Sequence, residues 1–235
     1  MKFAIISAGE GSRLSQEGVK LPKPLVQLSG KAMIDRLVDI FIANGAEEIV
    51  IIVNNEVQMT KEHVLELQKK TSVPLRVVIK TTPSSMHSFY ELSKYLKDDK
   101  FCLTTVDTIF REDEFSKYIE AFKYSEYDGM MAVTDYIDDE KPLYISTDDN
   151  LKITGFHDVM VDGCRYISGG IYCLTPKAIE TLDKCMANGL SRMRNFQREL
   201  IADGLALKAY PFSKILDVDH ASDIVKAEEF LGCKK

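Results

Sequence analysis

The residues best suited to chemistry lie near the N-terminus, in the segments SAGEGSRL and KLPKPL. Gly9 and Gly11 bracket one residue, and such a loop lets the backbone approach a phosphate closely and point N–H donors at it. Arg13 follows two residues later, and its guanidinium can bind phosphate oxygens through paired hydrogen bonds. Lys20 and Lys23 add positive charge in the second segment. The spacing indicates a site for a phosphate-bearing ligand.

Two common nucleotide-binding motifs do not fit this loop. A dinucleotide-binding fold requires a third glycine, where this chain has Leu14, and an acidic residue ending the second strand, where it has Asn54. A P-loop requires Gly-Lys followed by Ser or Thr, whereas Lys31 is followed by Ala32. The loop is therefore of another kind.

Strands and helices alternate through the first part of the chain. Short apolar runs predict strands, and apolar residues on one helical face predict the helices between them. The strands are expected at 3–7, 48–54, 75–80 and 101–106, and the helices at 31–44, 61–70 and 85–96. This order is typical of βαβ units in a largely parallel sheet, which binds ligands beyond the carboxyl ends of its strands.

After about residue 112 the pattern becomes mixed. Helices are expected at 113–124, 176–188, 191–203 and 221–231, and strands at 129–136, 165–174 and near 206–218, with a hairpin turn at 148–150. The sequence contains no Gly/Ser-rich linker and no internal repeat. It predicts one α/β domain over 1–235, with a mixed, mostly parallel central sheet flanked by helices and two lobes, about 1–112 and about 113–235.

Composition narrows the class of protein. The chain has 235 residues, of which 45% are hydrophobic and 28% charged, and these fractions exclude a disordered protein. The net charge of −6, without a basic stripe, argues against nucleic acid as a partner. No apolar run is long enough for a membrane span or a signal peptide. The five cysteines form no C-x-x-C pair, which predicts reduced thiols and a cytoplasmic location.

The order AGEGSRL, then PKPL, then GKAMID opening a helix resembles the N-terminal signature of the sugar-phosphate nucleotidyltransferases. The resemblance extends over almost the whole chain and implies a glycosyltransferase-A-like α/β fold. It also implies a reaction in which an acceptor phosphate, expected to be a sugar 1-phosphate, attacks an NTP and pyrophosphate leaves. By resemblance, Ala8, Gly9 and Gly11 bind the nucleotide, Arg13 holds the β- and γ-phosphates, and Lys23 holds the α-phosphate.

The resemblance further implies a divalent cation, Mg²⁺ or Mn²⁺, because the reaction brings two polyanions together. Asp107 follows the strand at 101–106 and matches the family's metal-binding aspartate. The segment KILDVDHASD resembles the family's closing segment, in which Asp217, Asp219 or both reach the ion. These two aspartates face the same side of an extended strand. Asp219 is alternatively the N-cap of the last helix.

For the base and ribose, the resemblance points to the loop at 81–89. Ser84 and Ser85 are expected to contact the nucleotide there, and Ser85 is alternatively the N-cap of the following helix. The glycine-containing run common in the family is absent from this loop. The sequence therefore leaves the base open.

For the acceptor, ISGGIY resembles a family strand and places Ser168 and Gly170 beside the acceptor. An acidic-Lys-Pro triplet that precedes this strand in many relatives is absent. Arg165 is the expected substitute for its lysine, and Arg192 and Arg194 are alternatives.

Other functions remain open at this point. The first is a cytidylyltransferase acting on phosphocholine or a similar aminoalcohol phosphate. The others are a catalytically silent nucleotide-sensing domain and a glycosyltransferase of the same fold. The implied partners are an NTP and a small phosphorylated acceptor, and the sequence leaves the oligomeric state open.

Overall fold

A computed structural model describes residues 1–9, 11–138 and 140–232. The strands are β1 (Lys2–Ser7), β2 (Gln27–Leu28), β3 (Lys31–Ala32), β4 (Ile49–Val53), β5 (Leu75–Ile79), β6 (Phe101–Thr105), β7 (Thr108–Ile109), β8 (Gly129–Thr134), β9 (Tyr144–Thr147), β10 (Ile153–His157), β11 (Tyr166–Leu174), β12 (Leu207–Phe212) and β13 (Leu216–Asp217). The helices are α1 (Ser12–Gln16), α2 (Met33–Ala43), α3 (Gln58–Lys70), α4 (Ser85–Ser93), α5 (Glu112–Lys123), α6 (Lys177–Ala187), α7 (Met193–Ala202) and α8 (Ala221–Phe230), with a 3₁₀ turn at Lys23–Leu25.

Nine of these strands form one mixed sheet. Its main path runs β10, β9, β11, β6, β1, β4, β5, and β8 pairs with both β11 and β12. The strands β6, β1, β4 and β5 are parallel. Strand β11 runs antiparallel to β6, β8 and β9. The predicted mixed α/β sheet flanked by helices is confirmed. The first half of the chain builds its four-stranded parallel part, and β8 and β12 of the second half form a further parallel pair.

The central parallel strands are buried on both faces. Parallel strands covered by helices on both sides need apolar residues at successive positions, and all five residues of β4 are buried. In β1, Phe3 and Ile5 belong to one core cluster, and Ala4 and Ile6 belong to another on the opposite face. The sheet therefore separates two cores. Packing on both faces fixes the position of the carboxyl ends of its parallel strands.

Short strands change two of the predicted elements. One replaces the expected start of a helix, and the other divides an expected strand in two. Lys31 and Ala32 pair with β2, so α2 begins only at Met33. The strand expected near 206–218 is two strands, β12 and β13. Strand β13 leaves the main sheet and pairs antiparallel with β7.

Four cysteines, Cys102, Cys164, Cys173 and Cys185, are free thiols. The fifth, Cys233, lies outside the described residues. Across 1–9, 11–138 and 140–232, no helix combines the length and the apolar character required to cross a bilayer.

Tyr118 of α5 connects its helix to two strands through a buried hydroxyl. The Tyr118 hydroxyl donates to the Met130 carbonyl at 2.5 Å and accepts from the Cys173 N–H at 2.9 Å. We expect Tyr118→Phe to lower the free energy of unfolding by about 1–3 kcal/mol, because it leaves buried backbone groups unsatisfied. Denaturant titration measures this, with Tyr124→Phe as the exposed control. Equal stability of the two variants would contradict the assigned role.

Candidate active site

A cavity of about 570 Å³ opens at the carboxyl ends of the parallel strands. Its walls come from the loops that follow β1, β4, β5 and β6, the edge at which such sheets bind ligands. The lining includes most of the residues predicted for the nucleotide and the metal: Ala8, Gly9, Gly11, Arg13, Lys23, Ser84, Ser85, Asp107 and Asp219.

Position 11 requires a glycine because of both its backbone conformation and the lack of space for a side chain. It has φ of 62°, in the left-handed region, and it immediately precedes α1. A Cβ at Gly11 would lie 2.9 Å from the Lys23 Cβ, closer than any ordinary contact. The glycine loop therefore packs directly on the segment that carries Lys23.

Lys23 is held between two prolines at the start of the 3₁₀ turn. A proline ring fixes φ near −65°, and Pro22 has φ of −54°. Pro24 and the following Leu25 are buried, which anchors the turn to the core. The Lys23 side chain is 14% exposed, so most of its stem is buried and its ammonium points into the cavity.

The Lys23 ammonium joins two carboxylates. Its Nζ lies 2.5 Å from Asp107 Oδ2 and 2.6 Å from Asp219 Oδ1. Arg13 Nη1 lies 3.1 Å from the other oxygen of Asp219. Burial lowers the pKa of Lys23, but the charges and hydrogen bonds of Asp107 and Asp219 together outweigh burial, and the pKa is raised. The ammonium therefore stays charged at neutral pH.

Backbone pairing places the two carboxylates opposite this cation. Asp107 immediately precedes β7, and its carbonyl accepts from the Val218 N–H at 3.1 Å, next to the β7–β13 ladder. Asp223 accepts from the N–H groups of Asp219 at 3.2 Å and His220 at 2.8 Å. His220, not Asp219, is the N-cap of α8. The side chain of Asp219 is thus available to Lys23 and Arg13.

Asp217 lies near the other two aspartates but faces a second cavity. It pairs with Thr108 across the β7–β13 ladder and lines that cavity, to which its side chain is exposed.

The carboxylates fit a divalent cation that takes most of its ligands from elsewhere. In the described part of the chain, no three His, Cys, Asp or Glu residues are grouped to hold a metal by themselves. Asp107 and Asp219 nevertheless converge on one positive charge, the Lys23 ammonium. Mg²⁺ is usually held by one or two carboxylates together with phosphate and water oxygens. This donor set suits Mg²⁺ bound together with a phosphate ligand.

The far end of the first cavity is neutral and polar. Asn54 immediately follows β4, and its Oδ1 accepts from the Glu56 N–H at 2.9 Å and the Thr81 hydroxyl at 2.8 Å. The hydroxyls of Thr82 and Ser88 lie 2.6 Å apart. These groups have fixed orientations and carry no charge, which suits the base and ribose of a nucleotide better than its phosphates.

The two predicted serines have different roles at the start of α4. Ser84 is the N-cap, and its Oγ accepts from the His87 N–H at 3.5 Å and lies 2.8 Å from His87 Nδ1. Ser85 is the first residue of the helix, so the N-cap alternative considered for Ser85 is wrong by one position. Both serines line the first cavity.

The second cavity, of about 250 Å³, shares Arg13 and Asp219 with the first. Of the residues predicted for the acceptor, Ser168 lines it, and the Ser168 hydroxyl donates to Gln197 Oε1 at 3.0 Å. Acidic side chains dominate the described lining: Asp138, Glu140, Asp217, Asp219 and Asp223. The permanent cations among its lining residues are Arg13 and Lys226.

Gly170 and Arg165 do not line either cavity. Gly170 has φ of 73°, and a Cβ there would lie 3.1 Å from Thr108 Oγ1, so this glycine lets β7 pack on β11. The Arg165 side chain is 71% exposed and pairs with Asp135 at 3.2 Å. Neither residue lies at a cavity that could take the acceptor, and direct acceptor contact by Gly170 or Arg165 stays a prediction.

Arg192 and Arg194, the two alternatives to Arg165, also lie outside the second cavity. Arg194 is paired with Asp158 at 2.5 Å. Arg192 is the N-cap of α7, with φ of 75°. Neither residue lines the second cavity.

Sequence reasoning missed several lining residues. Asn54 was noted only because it excludes a dinucleotide motif. Like Asp107, it follows a buried parallel strand, and this position could have identified it. Tyr136 and Lys226 line the second cavity, and no spacing or motif distinguishes them from surface residues.

Comparisons with known proteins agree with this geometry. The family model described as nucleotidyl transferase matches residues 2–232. A mannose-1-phosphate guanyltransferase from Yarrowia lipolytica is 27% identical over 188 residues, which are 78% of this chain and 52% of that protein. The chain thus spans about half the length of this curated relative.

Two solved structures share the fold. A putative glucose-1-phosphate thymidylyltransferase from Bacillus anthracis has a TM-score of 0.85 at 18% identity, covering 100% of this chain and 96% of that one. The CTP:phosphocholine cytidylyltransferase from Streptococcus pneumoniae has a TM-score of 0.74 at 22% identity, covering 98% of both chains.

The contact between the glycine loop and Lys23 can be tested with two glycines of similar conformation. Gly18 also has positive φ, but a Cβ there would meet nothing within 4 Å. We expect Gly18→Ala to cost about 1–2 kcal/mol of stability through backbone strain alone. Gly11→Ala should cost more, because its methyl group also collides with Lys23. Denaturant unfolding of both variants measures the difference, and equal costs would refute the contact.

Proposed function

Because this chain belongs to the nucleotidyl transferase family, we propose that it joins an NTP to a phosphorylated acceptor and releases pyrophosphate. The proposed acceptor is a sugar 1-phosphate, the substrate class that the name of the mannose-1-phosphate relative gives for that protein. One observation carries the proposal. Two adjacent cavities share Arg13 and Asp219, and the Lys23 ammonium in the first cavity contacts the shared Asp219.

In this proposal the first cavity takes the NTP. Its neutral end, with Asn54, Ser84 and Ser85, receives the base and ribose, and the backbone at Ala8, Gly9 and Gly11 adjoins the phosphates. Lys23 and Arg13 stabilise the charge on the phosphates as the bond to the α-phosphorus changes. The residues of about 1–112 supply most of this cavity, and those of about 113–235 supply the acceptor side.

The acceptor phosphate attacks from the second cavity. An acceptor oxygen forms a bond to the α-phosphorus, and the bond from that phosphorus to the leaving pyrophosphate breaks. A phosphate monoester is already anionic near neutral pH, so the reaction requires no general base. The rate comes from holding two polyanions in line and stabilising their charge. Ser168, oriented by Gln197, presents a polar group to the acceptor.

Asp107 and Asp219 would hold Mg²⁺ or Mn²⁺, with Asp217 beside them on the acceptor side. When bound, the ion supplies positive charge that neutralises the phosphates of the two substrates. We also propose a cytoplasmic location, where free thiols stay reduced.

The second candidate acceptor is an aminoalcohol phosphate. The excess of carboxylates in the second cavity favours a cationic group there. The phosphocholine cytidylyltransferase that shares the fold is named for such a substrate. A neutral sugar can also bind carboxylates through its hydroxyls, so the two acceptors must be compared directly.

A pyrophosphate-release assay tests the proposal. Each of ATP, GTP, CTP, UTP and dTTP is combined with glucose 1-phosphate, mannose 1-phosphate or phosphocholine in the presence of Mg²⁺. Release that requires a sugar phosphate supports the first candidate, and release that requires phosphocholine supports the second. NTP binding without release would favour a nucleotide-sensing domain, and consumption of a nucleotide-sugar would favour a glycosyltransferase.

Lys23 gives a direct test of charge stabilisation. We expect Lys23→Ala to lower kcat by about a hundredfold or more, the usual cost of removing one electrostatic stabiliser. The control is Lys20→Ala, because Lys20 lies in the same segment, is exposed and lines neither cavity. Circular dichroism checks that both variants fold. Turnover of Lys23→Ala close to that of the control would disprove the role.

Asp107 gives a test of the metal. We expect Asp107→Asn to abolish Mg²⁺-dependent turnover and to weaken Mn²⁺ binding in the presence of NTP, because it removes one of two converging carboxylates. Electron paramagnetic resonance of Mn²⁺ measures the binding. The control is Asp149→Asn, in the exposed β9–β10 turn. An unchanged Mn²⁺ affinity in Asp107→Asn would rule out this ligand.

A further inference from the structure

Two buried hydroxyl groups below the first cavity have no hydrogen-bond partner in the described part of the chain. They are Ser7 Oγ, at the end of β1, and Thr60 Oγ1, in the first turn of α3. Ser7 is 4% exposed and Thr60 is 1% exposed. Buried polar groups in native proteins nearly always have a partner, from the protein or from ordered water.

Both residues line one small cavity under the segment 22–24, with a volume of about 10 Å³. The side chains of a strand alternate between its faces, so the Ser7 side chain lies on the same face of the sheet as Phe3 and Ile5. That face carries the core cluster to which Val64 of α3 belongs. The Ser7 hydroxyl therefore approaches the cavity from β1, and the Thr60 hydroxyl approaches it from α3.

The size and lining of this cavity match one water molecule. A water needs roughly 10–15 Å³ and two to four polar partners. Asn54 also lines the cavity. Its Oδ1 already accepts from Glu56 and Thr81, which leaves its Nδ2 to donate elsewhere. A phosphate group or a hydrated metal ion is too large for this space.

We propose that a single structural water binds in this cavity and hydrogen-bonds to the hydroxyls of Ser7 and Thr60. The water joins the end of β1 to the start of α3, directly below the turn that carries Lys23. Gly9 and Lys23 are themselves part of the cavity wall. The small cavity shares Ser7, Gly9, Lys23, Pro24 and Asn54 with the wall of the first cavity, but the test of the water requires no substrate.

The sign of a stability change distinguishes a bound water from two unsatisfied hydroxyls. Thr60→Val keeps the shape of the side chain and removes only the hydroxyl. If the water is bound, the variant loses a hydrogen bond, and we expect Tm to fall by ~2–4 °C. If no water is bound, the variant loses an unsatisfied polar group, and an unchanged or raised Tm would overturn the proposal.

Thr175 provides the matched control. Its hydroxyl is also buried without a partner, but Thr175 lines neither the small cavity nor the two larger ones. We therefore expect Thr175→Val not to lower Tm. A fall as large as that of Thr60→Val would attribute the effect to the substitution itself and would count against the water.

A double-mutant cycle tests whether the two hydroxyls share one partner. If Ser7→Ala and Thr60→Val disrupt the same water, the fall in Tm of the double variant will be smaller than the sum of the two single falls. Additive falls would refute a shared water. A high-resolution crystal structure should show one density peak within hydrogen-bond distance of both hydroxyls, and an empty cavity would overturn the proposal.

Discussion

The site depends on one cation held between two anions. The Lys23 ammonium contacts Asp107 and Asp219, which come from parts of the chain far apart in sequence. The side chains of Lys23 and Asp107 are largely buried. Removing one partner from such a group leaves a charge without compensation in a poorly solvated place, which is far more costly than losing an exposed ion pair. The segments that carry Lys23, Asp107 and Asp219 are therefore held together, and the position of each restricts the positions of the other two.

The fold provides this position before any ligand binds. The parallel strands β1 and β6 end at the same edge of the sheet, and this brings the glycine loop and Asp107 together. The small β7–β13 ladder then returns the distant segment with Asp217 and Asp219 to that edge. The close packing of Gly11 against Lys23 and the prolines beside Lys23 hold the lysine in place. The Lys23 and Arg13 cations are therefore already at the cavity before a polyanion arrives, and charges positioned in advance are the main requirement for electrostatic stabilisation.

Parts of the fold and of the site that are set by local spacing could be predicted from the sequence, whereas parts that are set by tertiary pairing could not. Strand ends in a parallel sheet converge by rule, so the meeting of the glycine loop and Asp107 follows from the order of the elements. Lys23 lies in a 3₁₀ turn, and its place in the site was predicted only from the family resemblance. The β7–β13 pair has only two residues in each strand, and no periodicity reveals it. Arg165 was chosen because its charge suited a missing lysine, but its partner Asp135 is set by the tertiary structure. Gly170 was read as a ligand contact, whereas its space is taken by Thr108.

The charges of the two cavities constrain how a phosphorylated acceptor can bind. An anionic phosphate placed deep in the second cavity would meet Asp138, Glu140 and Asp223, with Lys226 already shared between Asp138 and Asp223. Such a position is electrostatically unfavourable. The cations available at its boundary are Arg13, which borders both cavities, and Lys23, which lies in the first. In the proposed reaction the acceptor phosphate is therefore drawn to the junction, next to the α-phosphate of an NTP, and the rest of the acceptor extends into the acidic cavity. The same charges that exclude a phosphate from the depth of the cavity thus orient the acceptor for attack.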